Sequence, residues 1–197
     1  MPSHVALLRG INVGGRNRVA MADLRQLLTS LGHTDVSTYI QSGNVVFTAA
    51  DVRAPAALAA ELERAIADRL GVAPRVVVRT RKELAAVVRD NPYPDEPNPK
   101  AVHAVFLTGD PEPELAGAVA DAGRRATELG SRDTARLVGR TLFLHTPDGF
   151  GRSKLAELLI AHTSGNGPGR VAGTARNWST VLKLVTLGGA AEPGSAG

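Results

Sequence analysis

The residues whose types and spacing suit chemistry lie near the start of the chain. Leu7-Leu8-Arg9-Gly10-Ile11-Asn12-Val13-Gly14-Gly15-Arg16-Asn17 passes from an apolar run into a loop of three glycines, two asparagines and two arginines. Such a loop brings donors toward an anion: the N–H groups of Gly14, Gly15 and Arg16 form a cradle, and Arg9 and Arg16 supply charge. The spacing Gly10-x-x-x-x-Gly15-Arg16-Asn17 also follows the outline of the phosphate-binding G-x-x-x-x-G-K-[ST] loop. Arginine stands there for lysine, however, and Asn17 replaces the hydroxyl that would hold magnesium. The helical pattern starts only near Val19–Met21, several residues late. An ordinary strand-to-helix turn, whose glycines adopt positive φ, fits the same residues.

Three further stretches join the candidate ligand-binding set. In Gln41-Ser42-Gly43-Asn44 the last three are turn formers, but the turn does not need Gln41, so Gln41, Ser42 and Asn44 are retained beside Arg9, Asn12, Gly14, Gly15 and Arg16. Ser42 has no histidine as its base. Arg152, Ser153 and Lys154 open a helix, where basic residues oppose the helix dipole unless an anion sits there. On a helical wheel Trp178, Val181, Leu182 and Val185 form an apolar stripe, with Arg176, Thr180 and Lys183 opposite; Arg176, Asn177 and Lys183 complete the set. If these stretches meet, Arg9, Arg16, Lys154 and Arg176 lie on one positive surface. The histidines, His4, His33, His103, His145 and His162, show no metal-ligand spacing. His145, beside Asp148, is the one candidate acid or base. No catalytic residue is assigned, and neither a metal nor a cofactor is expected.

Composition narrows the class. The 197 residues are 43% hydrophobic and 21% charged, as in a globular chain. Cysteine is absent, which excludes disulfides and thiolate metal sites. No apolar run has the roughly 18 residues of a membrane span, and Met1-Pro2-Ser3-His4 leads into a strand without a signal-peptide pattern. A cytoplasmic location is expected. The net charge of +4 gathers at the two ends of the chain: Arg9, Arg16, Arg18 and Arg25 face Asp23 and Asp35, and Arg152, Lys154, Arg170, Arg176 and Lys183 face Glu157 alone.

The elements that must position these residues follow from periodicity. Residues 4–9 read as a strand; Met21, Leu24, Leu27, Leu28 and Leu31 recur at helical spacing. Strands at 35–40 and 44–48 form a hairpin, Pro55 opens a helix that runs to Gly71, 75–80 is a β-branched strand, and 81–89 is a short helix. Prolines 92, 94, 97 and 99 mark an extended linker. Afterwards come a strand at 101–108, a helix at 112–129, a hairpin of 134–138 and 141–146, a helix at 152–162, a Gly-rich loop at 164–169 and a last helix at 175–187 capped by Thr174. The fold class is therefore α+β: residues 1–90 as a ferredoxin-like βαββαβ subdomain, 91–100 as a linker, 101–187 as a similar βαββα unit ending in a C-terminal helix, and 188–197 as a disordered tail.

Four stretches together carry a resemblance. Leu8-Arg9-Gly10-Ile11-Asn12-Val13-Gly14-Gly15, Tyr39-Ile40-Gln41-Ser42-Gly43-Asn44-Val45-Val46-Phe47, Gly151-Arg152-Ser153-Lys154-Leu155 and Ala175-Arg176-Asn177-Trp178-Ser179-Thr180-Val181-Leu182-Lys183-Leu184 resemble the domain-of-unknown-function 1697 family of bacterial proteins, over about residues 3–187. The resemblance implies two α+β subdomains and no known reaction, cofactor or partner. Arg16 stands where the family usually has lysine, and the segment before the last helix is longer than usual.

Three functional readings remain. The first is binding of an anionic ligand, a small molecule such as a nucleotide or a nucleic-acid backbone, at the basic Gly-rich loop. RNA recognition in the manner of an RNA-recognition motif needs stacking aromatics on the central strands, and 4–9 has none while 44–48 offers only Phe47. The second is an enzyme acting on a small phosphorylated or carboxylated substrate. The third is a protein-interaction module with no small ligand. None involves a membrane.

Overall fold

The computed structural model describes residues 1–165 and 170–189. Its elements are β1 (His4–Arg9), α1 (Met21–Ser30), β2 (Thr34–Tyr39), β3 (Asn44–Thr48), α2 (Pro55–Leu70), β4 (Arg75–Thr80), α3 (Arg81–Arg89), β5 (Val102–Leu107), α4 (Pro113–Glu128), β6 (Thr134–Val138), β7 (Thr141–His145), a 3₁₀ turn (Phe150–Arg152), α5 (Lys154–His162), β8 (Gly173–Asn177) and α6 (Trp178–Leu187). Among the described residues this is a mixed α/β structure with two four-stranded antiparallel sheets and six helices. The chain divides into two units: Met1–Ala86 with the described residues from Leu182 onward, and Val87–Val181.

The first unit is ordered β2-β3-β1-β4. Val5, Ala6, Leu7 and Leu8 of β1 are all buried, which explains an uninterrupted apolar run where a half-exposed strand would alternate. One face, with Ala6, Leu8, Val45, Phe47, Val76 and Val78, packs against Leu24 and Leu28 of α1 and Leu58, Leu62 and Ile66 of α2. Pro55 fits the first turn of α2, where a missing N–H costs nothing, and Gly71 ends the helix in the left-handed region at φ +67°.

The second unit repeats the order as β6-β7-β5-β8. Val105, Leu107, Leu142 and Leu144 of its sheet meet Leu115 and Ala122 of α4 and Leu155 and Leu159 of α5. The proline-rich segment is held to this unit: the Thr134 hydroxyl donates to the Tyr93 hydroxyl (3.0 Å), and Thr146 N–H donates to the carbonyl of Ala101 (2.8 Å).

One expectation about this half is corrected. The unit does not run from its hairpin and helix directly into a last helix; Gly173–Asn177 forms β8, paired antiparallel with β5 from Leu107↔Gly173 to His103↔Asn177. The last helix consequently starts at Trp178. Its first turn is capped by Asn177, whose Oδ1 accepts the Thr180 N–H at 2.9 Å, and not by Thr174. The loop expected at 164–169 and the tail expected at 188–197 lie largely outside the described residues; Ser164 bridges Ala172, and Gly188 N–H donates to the carbonyl of Leu184 (2.9 Å).

Candidate functional site

The glycine loop and the β2–β3 hairpin fold into one corner of the first unit. Val13 and Arg16 bridge antiparallel around Gly14 (φ +58°) and Gly15 (φ +76°), the two positive φ values of a type I′ turn. The Arg16 N–H closes that turn on the Val13 carbonyl at 3.1 Å, so it serves the loop and not a cradle. Asn12 ties the loop down. Its Nδ2 donates to the carbonyls of Val19 (2.9 Å) and Gln41 (2.8 Å), and its Oδ1 accepts the Val19 N–H (2.9 Å). Asn17 Nδ2 donates to the Gly10 carbonyl at 3.0 Å. Both asparagines hold positive φ, a conformation their side chains tolerate better than most.

The hairpin side of the corner is equally specified. Asn44 is buried; its Nδ2 donates to the Tyr39 carbonyl (3.1 Å) and to the Ser42 hydroxyl (2.8 Å). The Gly43 carbonyl accepts the Leu8 N–H at 2.8 Å. Gly43 sits at φ +72°, and a Cβ there would come within 2.7 Å of Leu8 Cβ and 2.8 Å of Ile11 Cδ1. Only glycine fits. Asn12, Gly43 and Asn44 are thus explained by the architecture of the corner.

What the corner leaves accessible is Gly14, Gly15, Arg16 and Gln41, all exposed, with Arg9 and Ser42 half-buried. Arg9 ends β1 directly opposite Arg75 on β4. Partial burial, and then the charge of Arg75, lower its pKa from the ordinary value. Arg75 itself donates to Glu63 at 3.2 Å.

The remaining candidates are placed in other elements. Ser153 caps α5, its hydroxyl accepting the Ala156 N–H at 2.9 Å. Lys154 is exposed and ion-paired with Glu157 at 2.8 Å, an i,i+3 pair that accounts for a basic residue in the first turn. Arg152 is exposed in the 3₁₀ turn, and Lys183 is exposed on α6. Arg176 departs from expectation. It belongs to β8 and not to the outer stripe of the last helix, and it is buried. Its guanidinium donates to the Thr174 hydroxyl (2.7 Å) and the Ala175 carbonyl (2.8 Å), and burial pushes its pKa down to about 10. A positive surface containing the Arg176 side chain is therefore corrected.

His145 also has a different partner from the expected one. Its Nε2 meets Glu96 Oε2 at 2.6 Å, while Asp148 takes two N–H groups of Arg132. Glu96 lies forty-nine positions away in the chain, and no local spacing could signal the pair. Among the described residues no three His, Cys, Asp or Glu side chains group to hold a metal, and no helix is long and apolar enough to cross a membrane.

Fold and corner together define a two-unit α/β protein whose first sheet carries a glycine- and asparagine-stapled loop. The chain belongs to the family described as Protein of unknown function (DUF1697), whose model matches residues 1–143 and so includes the whole corner. Among solved structures it is similar to the conserved bacterial protein SP0830 from Streptococcus pneumoniae, at a TM-score of 0.69 and 25% sequence identity, over 95% of this chain and 98% of that one. Comparison with curated proteins gives no match.

Proposed function

We propose that this protein binds an anionic, phosphate-bearing ligand at the stapled corner of its first unit, which we read as a ferredoxin-like unit. The observation that carries the reading is Arg9 set directly across the ladder from Arg75. Like charges placed opposite each other in a sheet repel; Glu63 offsets part of this at Arg75, and an anion at the strand ends adds to that relief. Arg16, exposed on a loop whose shape Asn12 and Asn17 fix, adds a third guanidinium at little cost in ordering. Gln41 and Ser42 supply neutral polar groups at the rim.

The test is a thermal-shift series with pyrophosphate, ATP and a short oligonucleotide at low and moderate salt. A ligand at a hundred times its Kd stabilises by about 2.7 kcal/mol, a rise of several degrees for a domain of this size. Arg9→Gln and Arg16→Gln should each abolish the rise. A rise that survives salt points to a small anion; one seen only with the oligonucleotide and lost with salt points to a nucleic-acid backbone. No rise with any anion, or one unchanged in both variants, overturns the reading.

A further inference from the structure

A groove of about 390 Å³ runs between α4 and α5, inside the Val87–Val181 unit. The α4 wall is made of Glu114, Gly117, Ala118, Asp121, Ala122 and Arg125, and Leu158 of α5 stands on the other wall. Leu159, the next residue, is buried in the core beneath, whereas Leu158 is 41% exposed. A surface helix ordinarily turns charged side chains to solvent. Along its middle, α4 turns glycine and alanine into the groove instead.

Gly117 is the informative residue. It is exposed, in the second turn of a 16-residue helix, where glycine is less stable than alanine. A Cβ at this position would meet nothing within 4 Å, so packing inside the chain does not ask for a glycine. What a glycine on a helix surface does permit is the close approach of another backbone.

The charges on the same face indicate which backbone. Glu114 stands in the first turn of α4 and Arg125 in the last; eleven positions make about three helical turns, so the two share a face. Asp121 is matched within its own helix by Arg124 at 2.8 Å. Turned end over end, this face complements itself. A two-fold axis that crosses α4 between positions 119 and 120 sets Glu114 against Arg125 of a second copy, and Arg125 against Glu114 of that copy. The same operation sets Gly117 against Ala122 and Ala118 beside Asp121, so small side chains meet where the helices must come closest. Helix dipoles that run in opposite directions attract as well.

We propose that α4 is the contact face of a homodimer, in which two copies of this chain pair their α4 helices antiparallel and each covers the groove and Leu158 of the other. The interface lies in the second unit and is independent of any ligand at the first.

Sedimentation velocity on the full chain, from low micromolar to submillimolar concentration, should show a species approaching twice the 20.5 kDa of one chain. Glu114→Arg and Arg125→Glu each set two pairs of like charges face to face, and each should raise the dimer dissociation constant by at least about tenfold. Mixed in equal amounts, the two variants should recover the dimer, because every facing pair is then opposite in sign. Only an antiparallel pairing of position 114 with position 125 gives that result. Gly117→Leu, which carries the test should a charge variant not fold, should abolish the dimer. It should leave the Tm of the dilute monomer unchanged or higher, since its Cβ meets nothing in its own chain and leucine favours helix. The mass of one chain at every concentration overturns the inference. So does a dimer that withstands Gly117→Leu and both charge variants, or folded single variants that do not associate when mixed.

Discussion

The two units share a strand order and differ at one corner. In both, a main-chain N–H near the end of the first strand donates to the carbonyl of the residue just before the third strand: Leu8 to Gly43 (2.8 Å) in one, Leu107 to Arg140 (3.0 Å) in the other. Both end the fourth strand with a buried arginine one position from its last residue, Arg79 and Arg176. Yet the first unit joins strand to helix through residues 10–20, whereas the second needs only 108–112. The long connection folds Ile11 over the hairpin, and that decides which residue the hairpin admits. Glycine fills the position over which Ile11 folds, and an arginine fills the corresponding one in the second unit. Much of the sequence signature therefore records a packing requirement, while the half-buried Arg9 and the exposed Arg16 carry the functional reading.

The sharpest way to break this comparison is Gly43→Ala set against Arg140→Ala. The first combines a left-handed φ with a close approach to Leu8 and Ile11 and should cost about 3 kcal/mol in denaturant unfolding; the second, a truncation without left-handed backbone, should cost no more than about 1 kcal/mol. Equal costs would show that the long loop constrains nothing. Asn12→Ala comes next. It removes all three loop bonds of that side chain and should cost about 2 kcal/mol, with faster hydrogen exchange confined to residues 10–20 and 40–43.

Acid should act on the two units through the buried His33 of the first and the half-buried His103 of the second. Burial lowers the pKa of His33 in the first unit and that of His103, stacked on Phe150, to about 4 in the second. An unfolded imidazole titrates near 6.5, so between pH 6.5 and 4 the unfolded chain binds more protons than the folded one. Stability is full above that window and falls as pH drops through it. His103→Phe should flatten the fall measured by unfolding at a series of pH values; an unchanged slope would locate the acid sensitivity elsewhere.

Two smaller effects complete the set. Ser153→Ala removes the cap of α5 and should cost about 1 kcal/mol by thermal unfolding. Ile40 is a β-branched residue at φ +50° and 53% exposed, so Ile40→Gly should stabilise the corner by about 1 kcal/mol. A loss there would mean that Ile40 makes contacts worth more than its strain.

The regular elements were legible because their signals are local. Apolar stripes marked α1 and α2, and Pro55 and Gly71 marked the ends of α2 within a residue. β8 escaped because Gly173-Thr174-Ala175-Arg176-Asn177 has little apolar content and abuts a helix whose periodicity absorbs it. Arg176 is expected on the positive side of the last helix for the same reason: assigned to the wrong element, it falls on the wrong face. The corner was legible as a place but not as a mechanism. That Asn12 would hold the Gln41 carbonyl depends on two loops returning to one point, and Glu96 reaches His145 only through the course of the proline-rich segment.

The first unit groups residues far apart in the chain, Met1–Ala86 with the described residues from Leu182 onward. During synthesis, at roughly 5–20 residues per second, the segment that opens this unit emerges first, before the whole of Val87–Val181 is made. The second unit has all its strands as soon as β8 is out. The first unit has its four strands and both helices of its core by Ala86, so its sheet can form before the second unit is made, and the residues from Leu182 onward join it only after Val87–Val181 is complete.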